Sequence, residues 1–275
     1  MCQRLTMKDD RLKVFSYSAG TQTNSMAVLI NKGVIEKPDI AIMVDTERED
    51  SRAIDYAKNY GANLLADVGV DLVIVKKSKW ATYDIFGADD DFPLPGYFSE
   101  WDGRQKNGDC KGKQPSFCSI KWKTEVIHRE LNSRYGEREL TERGVTSLMG
   151  ITIEEQRRMK FPQGKWQREY PLADMHITRQ AAIQIVTTAG LPKPPRSLCW
   201  MCPNRDCNMW VDLKENAPDD FNKAVEHEKY LREEKGLDHL YLHKQGVPLD
   251  KVKFKPQGFN EQQDIFAECS GLCGL

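Results

Sequence analysis

The chain lacks any apolar run approaching the roughly 18–20 residues that a membrane-spanning helix needs, and no apolar segment follows its Met1-Cys2-Gln3-Arg4 start as a secretory leader would. No membrane partner is therefore expected, and a cytoplasmic location is. Charge of one sign is also missing. Forty Lys and Arg stand against 41 Asp and Glu, a net charge of −1, so no global field marks a nucleic-acid binder. Any polyanion contact must be local, and Arg104 to Lys123 is the candidate, with Lys106, Lys111, Lys113 and Lys121 interleaved with Phe117 and Trp122. The five histidines show no spacing that makes a site, internal repeats are absent, and no Gly-Lys-Ser/Thr run of a Walker loop occurs. A length of 275 residues, 40% of them apolar, suits one α/β domain with additions or two small domains.

Cysteine is plentiful and patterned. Cys199-Trp200-Met201-Cys202 lies mid-chain and Cys269-Ser270-Gly271-Leu272-Cys273 at its end. Two short-spaced pairs place four soft sulfurs on two tight turns, which is what a tetrahedral zinc or a 4Fe-4S cluster requires. Zinc and iron compete for the same ligands, and residue type does not separate them. A disulfide framework belongs to small secreted domains and does not suit this chain. Cys207 is a spare candidate ligand, and Cys110 and Cys118 sit in a separate segment.

The N-terminal half alternates buried strands with helices: strand at 12–16, helix from 24 to near Gly33, strand at 40–44, helix at 51–60 and strand at 70–75. Such alternation predicts a parallel sheet flanked by helices, with ligands at the C-terminal strand ends. Residues 77–118, with Asp89-Asp90-Asp91, prolines and aromatics, read as an irregular insertion that covers a ligand. A helix at 123–135, a strand at 145–151 and a helix at 178–189 follow, the last with Thr178 as cap and Gly190 as stop. Beyond the Pro192-Lys193-Pro194-Pro195 linker come helices near 207–213 and 218–235. The expected organisation is a nucleotide-binding α/β domain over 1–190 and a cysteine-rich helical subdomain over 191–275.

Ser18-Ala19-Gly20-Thr21-Gln22-Thr23 lies where the first strand enters the first helix, so its N–H groups can cradle phosphate. In that context the loop resembles the PP-loop of the adenine nucleotide α-hydrolase superfamily, Ser-Gly-Gly-x-Asp-Ser, a Rossmann-like fold. Ser18, Gly20 and Thr23 match in type, Ala19 replaces a glycine, and Gln22 stands where aspartate is usual. Val44-Asp45-Thr46-Glu47 fits the family's acidic turn, and the resemblance implies contacts from Asp45 to the nucleotide or its Mg²⁺. Downstream, Met149-Gly150-Ile151 through Glu154-Glu155-Gln156-Arg157-Arg158, then Glu169 to Met175 and Ile177-Thr178-Arg179, resemble the phosphoadenosine phosphosulfate reductase-like branch in order and spacing. So does Pro194 to Pro203. Arg157, Arg158 and Arg179 are cationic forks suited to phosphate or sulfate.

Reductases of that branch end in a Glu-Cys-Gly tail with a histidine, whereas this tail has no histidine and an extra cysteine. The whole is similar to the iron-sulfur enzymes of DNA phosphorothioation. That resemblance implies ATP pyrophosphatase or adenylyl-transfer chemistry on Ser18 and Thr23, an acceptor activated for sulfur transfer, and a cluster on Cys199, Cys202, Cys269 and Cys273. Cys118 is a second candidate sulfur-handling thiol, or a small apolar residue. The implied partners are a nucleotide, a nucleic-acid acceptor and a sulfur-donor protein. Two alternatives stay open: reduction of a phosphosulfate nucleotide, and a catalytically silent binding component, for which Ala19 and Gln22 supply the motive.

Overall fold

A computed structural model describes residues 10–86, 98–99, 112–113 and 116–254. In chain order the elements are β1 (Leu12–Ser16), α1 (Thr21–Asn31), β2 (Ile40–Asp45), α2 (Ser51–Tyr56), α3 (Ala62–Ala66) and β3 (Leu72–Lys76). Next are β4 (Phe98–Ser99), β5 (Gly112–Lys113), α4 (Glu125–Tyr135), α5 (Glu137–Arg143), β6 (Val145–Leu148), β7 (Trp166–Glu169) and α6 (Pro171–Asp174). The last are α7 (Arg179–Thr188), α8 (Cys207–Asn216), α9 (Pro218–Lys229) and β8 (Leu240–Tyr241). Short π-helical stretches join α2 to α3 and lead into α4.

The main sheet is parallel throughout, in the order β3-β2-β1-β6-β7. Its inner strands are almost wholly buried because both faces are covered, and β2 is an apolar run as far as Asp45. Period-two alternation sorts them: Leu12, Val14, Ile40, Ile42 and Val44 pack with Val126 and Leu131 of α4, while Phe15, Ala41 and Met43 pack with Met26 and Ile30 of α1 and Leu65 of α3. The chain leaves β1 toward β2 on one side and returns to β6 on the other. The strand order therefore reverses beside β1, where an open α/β sheet forms its crevice.

A second cluster joins Trp122 to Met201, Trp210, Leu213, Phe221, Ala224 and Leu231. The segment before α4 thus shares a core with α8 and α9. Asp206 caps α8 by accepting from Met209 N–H at 2.8 Å, and Thr178 caps α7 by accepting from Ala181 N–H at 3.1 Å. The strand expected over 145–151 stops at Leu148, where Met149 and Gly150 turn the chain toward α1.

Candidate functional site

The turn between β1 and α1 is held by buried polar groups. Asn24, fully buried, donates from Nδ2 to the carbonyls of Ala19 at 2.8 Å and Gly20 at 2.9 Å, and accepts from the Tyr17 hydroxyl at 2.6 Å. Burial, reinforced by nearby Tyr56, pushes the Tyr17 phenol far above its ordinary range, so it stays protonated as a donor. Ala19 takes φ +58°, a left-handed conformation costing a residue with a Cβ about 1 kcal/mol. Glycine would adopt that conformation without the cost. Gly20 is the N-cap of α1 and provides no side-chain cap, so the helix end faces the crevice without an internal acceptor from its own cap.

Ser18 and Thr23 meet across this turn, their hydroxyl oxygens 3.3 Å apart, and Ser18 N–H donates to Thr23 Oγ1 at 3.3 Å. Gly150 closes the other side. A Cβ on it would lie 2.9 Å from Thr23 Cγ2 and 3.2 Å from Thr23 N, so only glycine permits this approach. Residues 18–23 and Gly150 are therefore one constellation. Gln22 donates from Nε2 to Glu155 Oε2 at 3.1 Å, and the other oxygen of this buried carboxylate pairs with Arg158. Arg157 is exposed on the same 3₁₀ turn, Ile153–Arg158. The backbone N–H of Arg179 donates to Glu154 at 3.0 Å, which places that residue on the adjoining α7 start. Asp45 accepts from Glu47 N–H at 2.7 Å. Burial raises its carboxyl pKa, and Glu49 and Glu47 add to the effect.

The cysteine turn docks onto this end of the sheet. Glu49 and Cys199 form an antiparallel bridge, Asp50 N–H donates to Leu198 O at 3.1 Å, and Trp200 N–H donates to Arg48 O at 2.8 Å. Ser197 reaches the turn between β1 and α1, its Cβ 3.2 Å from where a Cβ on Gly20 would sit. The Cys199 sulfur lies 3.2 Å from Thr46 Oγ1 and 3.9 Å from Glu49 Oε1. Burial first, then the Glu49 carboxylate, push its thiol well above the ordinary range. Lys123 pairs with the same Glu49 oxygen at 3.0 Å. Arg205 fastens the turn from behind, giving its guanidinium to the carbonyls of Cys199 and Leu198 and to the Asp50 carboxylate, each at 3.2 Å.

Two observations bear on a metal at this turn. Cys202 N–H donates to Cys199 O at 3.1 Å, a tight turn that keeps the two cysteines close, and Glu49 Oε2 is buried without a hydrogen-bond partner. Both suit an electropositive group beside Cys199. Among the described residues no three Cys, His, Asp or Glu side chains converge on one ion position, and Cys269 and Cys273 lie outside them. Cys207 sits at the start of α8, its sulfur 3.6 Å from His243 Nε2. Cys118 packs at the edge of the Trp122 cluster. In the basic stretch, Lys121 pairs with Glu125, Lys123 turns into the site and Trp122 is core; residues 100–111 lie outside the described set.

A cavity of about 20 Å³ remains between the loop and the turn, lined by Tyr17, Ser18, Glu49, Lys123 and Ser197 among others. No family model and no curated protein matches the chain. Among solved structures the chain is similar to the U34-tRNA thiolase NcsA from Methanococcus maripaludis with its 4Fe-4S cluster, at 18% identity and a TM-score of 0.35, covering 86% of this chain and 76% of that one. Within the site, Asn24, Glu49, Thr46, Arg205 and Glu155 carry geometry that spacing did not single out as functional. Thr46 and Glu155 lie inside the quoted motifs without a role of their own, and the signal for Asn24 is that five polar residues, Thr21 to Ser25, open an otherwise apolar helix.

Proposed function

We propose that this chain binds ATP across the C-terminal ends of β1 and β6 and activates an acceptor for sulfur transfer by adenylylation. The observation that carries the reading is the contact between the two motifs: Ser197 of the cysteine turn lies against Gly20 of the phosphate loop, so a sulfur-bearing turn borders the phosphate cradle. The pyrophosphate would lie on the N–H groups and hydroxyls of residues 18–23, with Asp45 positioned for a bound Mg²⁺ and Arg157, Arg158 and Arg179 toward the outer phosphates.

An acceptor oxygen forms a bond to the α-phosphorus while the bond to pyrophosphate breaks, its electron pair leaving with pyrophosphate. A sulfur nucleophile then bonds to the activated carbon and AMP departs with the electrons of the carbon–oxygen bond. Charge builds on the leaving oxygens, so donors rather than a dedicated base are what the site must supply. Cys199 and Cys202, with Cys269 and Cys273, would hold a 4Fe-4S cluster or a zinc ion; a cluster when bound can present sulfur, and zinc would make the turn structural. Thr46 orients the Cys199 sulfur, Lys123 holds Glu49 beside it, and Ser197 keeps the turn on the loop.

The binding-only alternative has one observation in its favour. Gln22 is committed to Glu155, and Arg158 is tied to the same carboxylate, which removes two polar groups from the phosphate side. The test is pyrophosphate release from ATP by the purified chain, with iron, sulfide and zinc determined on protein prepared without oxygen. Release that disappears in Ser18→Ala and Thr23→Ala is the expected result. Sulfite from a phosphosulfate nucleotide would replace the reading with reduction, and ATP binding without turnover would replace it with a binding role.

A further inference from the structure

A second cavity, of about 560 Å³, shares no lining residue with the one beside the phosphate loop. Its size is that of a pocket for a nucleotide-sized ligand. Two cations lie deep in it, Arg48 and Lys77, with side chains only 15% and 6% exposed. Both stand over the Trp122 ring, at 5.4 Å and 4.5 Å from its centroid. Both also share one carboxylate, Asp84, which is 59% exposed. Arg48 holds it as a fork, Nη1 to Oδ1 at 2.8 Å and Nη2 to Oδ2 at 2.9 Å.

Buried cations facing an exposed counter-ion are arranged so that another anion can take the counter-ion's place. The other acid of the cavity does not compete, because Glu47 accepts from Ser78 N–H at 2.8 Å and Ser78 Oγ at 3.0 Å. A guanidinium fork beside an ammonium matches the several oxygens of a phosphate better than the two of a carboxylate. Flat surfaces flank the cations: Trp200, fixed beside Arg48 by its N–H bond to Arg48 O, and Tyr83. Cation pair and aromatic platform together are the equipment for one nucleotide of a single strand.

We propose that this cavity binds a nucleotide unit of a single-stranded nucleic acid, its phosphate displacing Asp84 from Arg48 and Lys77 and its base lying on Trp200. Since Trp200 directly follows Cys199, the bound strand passes next to the sulfur turn. That the strand is the sulfur acceptor rests on the function proposed above; that it binds here does not.

The experiment is fluorescence anisotropy with labelled single-stranded decanucleotides, DNA and RNA, on the full chain, alongside calorimetric titration with ATP. Asp84→Asn, which removes the competing carboxylate, should tighten decanucleotide binding about three- to tenfold. Lys77→Gln and Arg48→Gln should each weaken it about tenfold, Trp200→Leu likewise, with ATP affinity unchanged in all four. Whichever of DNA and RNA binds tighter names the strand. Ser18→Ala should reduce ATP affinity and leave decanucleotide binding intact, which separates the two sites. The proposal is overturned if Asp84→Asn binds no tighter than the natural chain, if both cation variants stay within twofold of it, or if a poly-glutamate peptide displaces the strand at equal concentration. Should Lys77→Gln not fold, Arg48→Gln and Asp84→Asn decide the matter.

Discussion

Replacing Arg205 with Met tests whether one buried cation holds the cysteine turn against the sheet. Arg205 and Asp50 have side chains 1% and 0% exposed and meet at 3.2 Å. The same guanidinium satisfies the carbonyls of Cys199 and Leu198. Breaking a buried pair by removing one partner typically costs about 3–5 kcal/mol, because a charge is left buried without compensation. Here Asp50 keeps a second cation: Arg52 grips it with Nε at 2.8 Å and Nη2 at 2.7 Å, so the carboxylate is not stranded. What is lost is the second hydrogen bond to two carbonyls that keep backbone partners, Leu198 O from Asp50 N–H and Cys199 O from Cys202 N–H; a hydrogen bond from a charged donor is worth about 1.5–3 kcal/mol. The terms are not additive, and about 3 kcal/mol is the expected loss for Arg205→Met, a change that roughly keeps the apolar stem.

Urea unfolding monitored by tryptophan fluorescence measures this loss, with the slope checked for constancy so that the midpoint shift reads as stability. Arg138→Gln serves as the control. It breaks the Arg138–Glu142 pair, 90% and 63% exposed, and should move stability by no more than about 0.5 kcal/mol. A double-mutant cycle with Asp50→Asn should return a coupling of about 1–2 kcal/mol. Cys199 and Cys202 should also react faster with a thiol reagent once their turn is loosened. A stability change under 0.5 kcal/mol together with unchanged thiol reactivity would refute the reasoning and leave Arg205 as a passenger on the Trp210 ring, whose centroid lies 5.8 Å from its guanidinium carbon.

Three further perturbations address the scaffold beneath the loop. Gly61→Ala would place a Cβ into the Tyr17 ring, 2.6 Å from Cζ; the gain in helix propensity offsets part of the overpacking, and a net loss of about 1–3 kcal/mol is expected. Weaker ATP binding should accompany it, because Tyr17 anchors Asn24, and adding Tyr17→Phe should restore only part of the stability. Gly150→Ala should leave the thermal midpoint within a few degrees and weaken ATP binding at least tenfold in a titration, since the new methyl occupies space beside Thr23 N; unchanged affinity would separate Gly150 from the phosphate site. Glu130, 2% exposed, is held down to about pKa 2 because hydrogen bonds from Lys79, Trp80 and Arg134 outweigh the opposing effect of burial. Its stabilisation is present above the ordinary carboxylate value of 4.5 and is lost as pH falls toward 2. Glu130→Gln should therefore be less stable by about 2–3 kcal/mol at pH 7, discounting for half-exposed Lys79 and Arg134, with the difference closing between pH 4.5 and 2 in urea melts.

Local pattern is what the sequence displayed well, and distance in sequence is what it hid. β2 is an apolar run buried on both faces as far as Asp45, and β1 departs from one only at Lys13 and Ser16, so hydropathy announces both; Thr178 and Gly190 punctuate α7 by capping chemistry that needs no partner elsewhere. β7 escaped because Trp166-Gln167-Arg168-Glu169 is a half-buried edge strand with no apolar run. The loop was legible by type at Ser18, Gly20 and Thr23, yet its anchor Asn24 looks like any residue in a helix until Tyr17 is seen to point at it. The same holds more strongly for the cysteine turn. Cys199 meets Glu49 across 150 positions of sequence, and Arg205 meets Asp50 across 155; a glutamate after a strand and an arginine after a cysteine turn have many ordinary uses, and only the closing of the chain selects one. Those long-range polar contacts convert two separate motifs into one site, because they bring Ser197 onto Gly20 and the Cys199 sulfur to Thr46. The proposed chemistry therefore depends on the contacts least visible in the sequence, and weakening Arg205 or Glu49 should loosen the cysteine turn from Gly20 while leaving the turn between β1 and α1 intact.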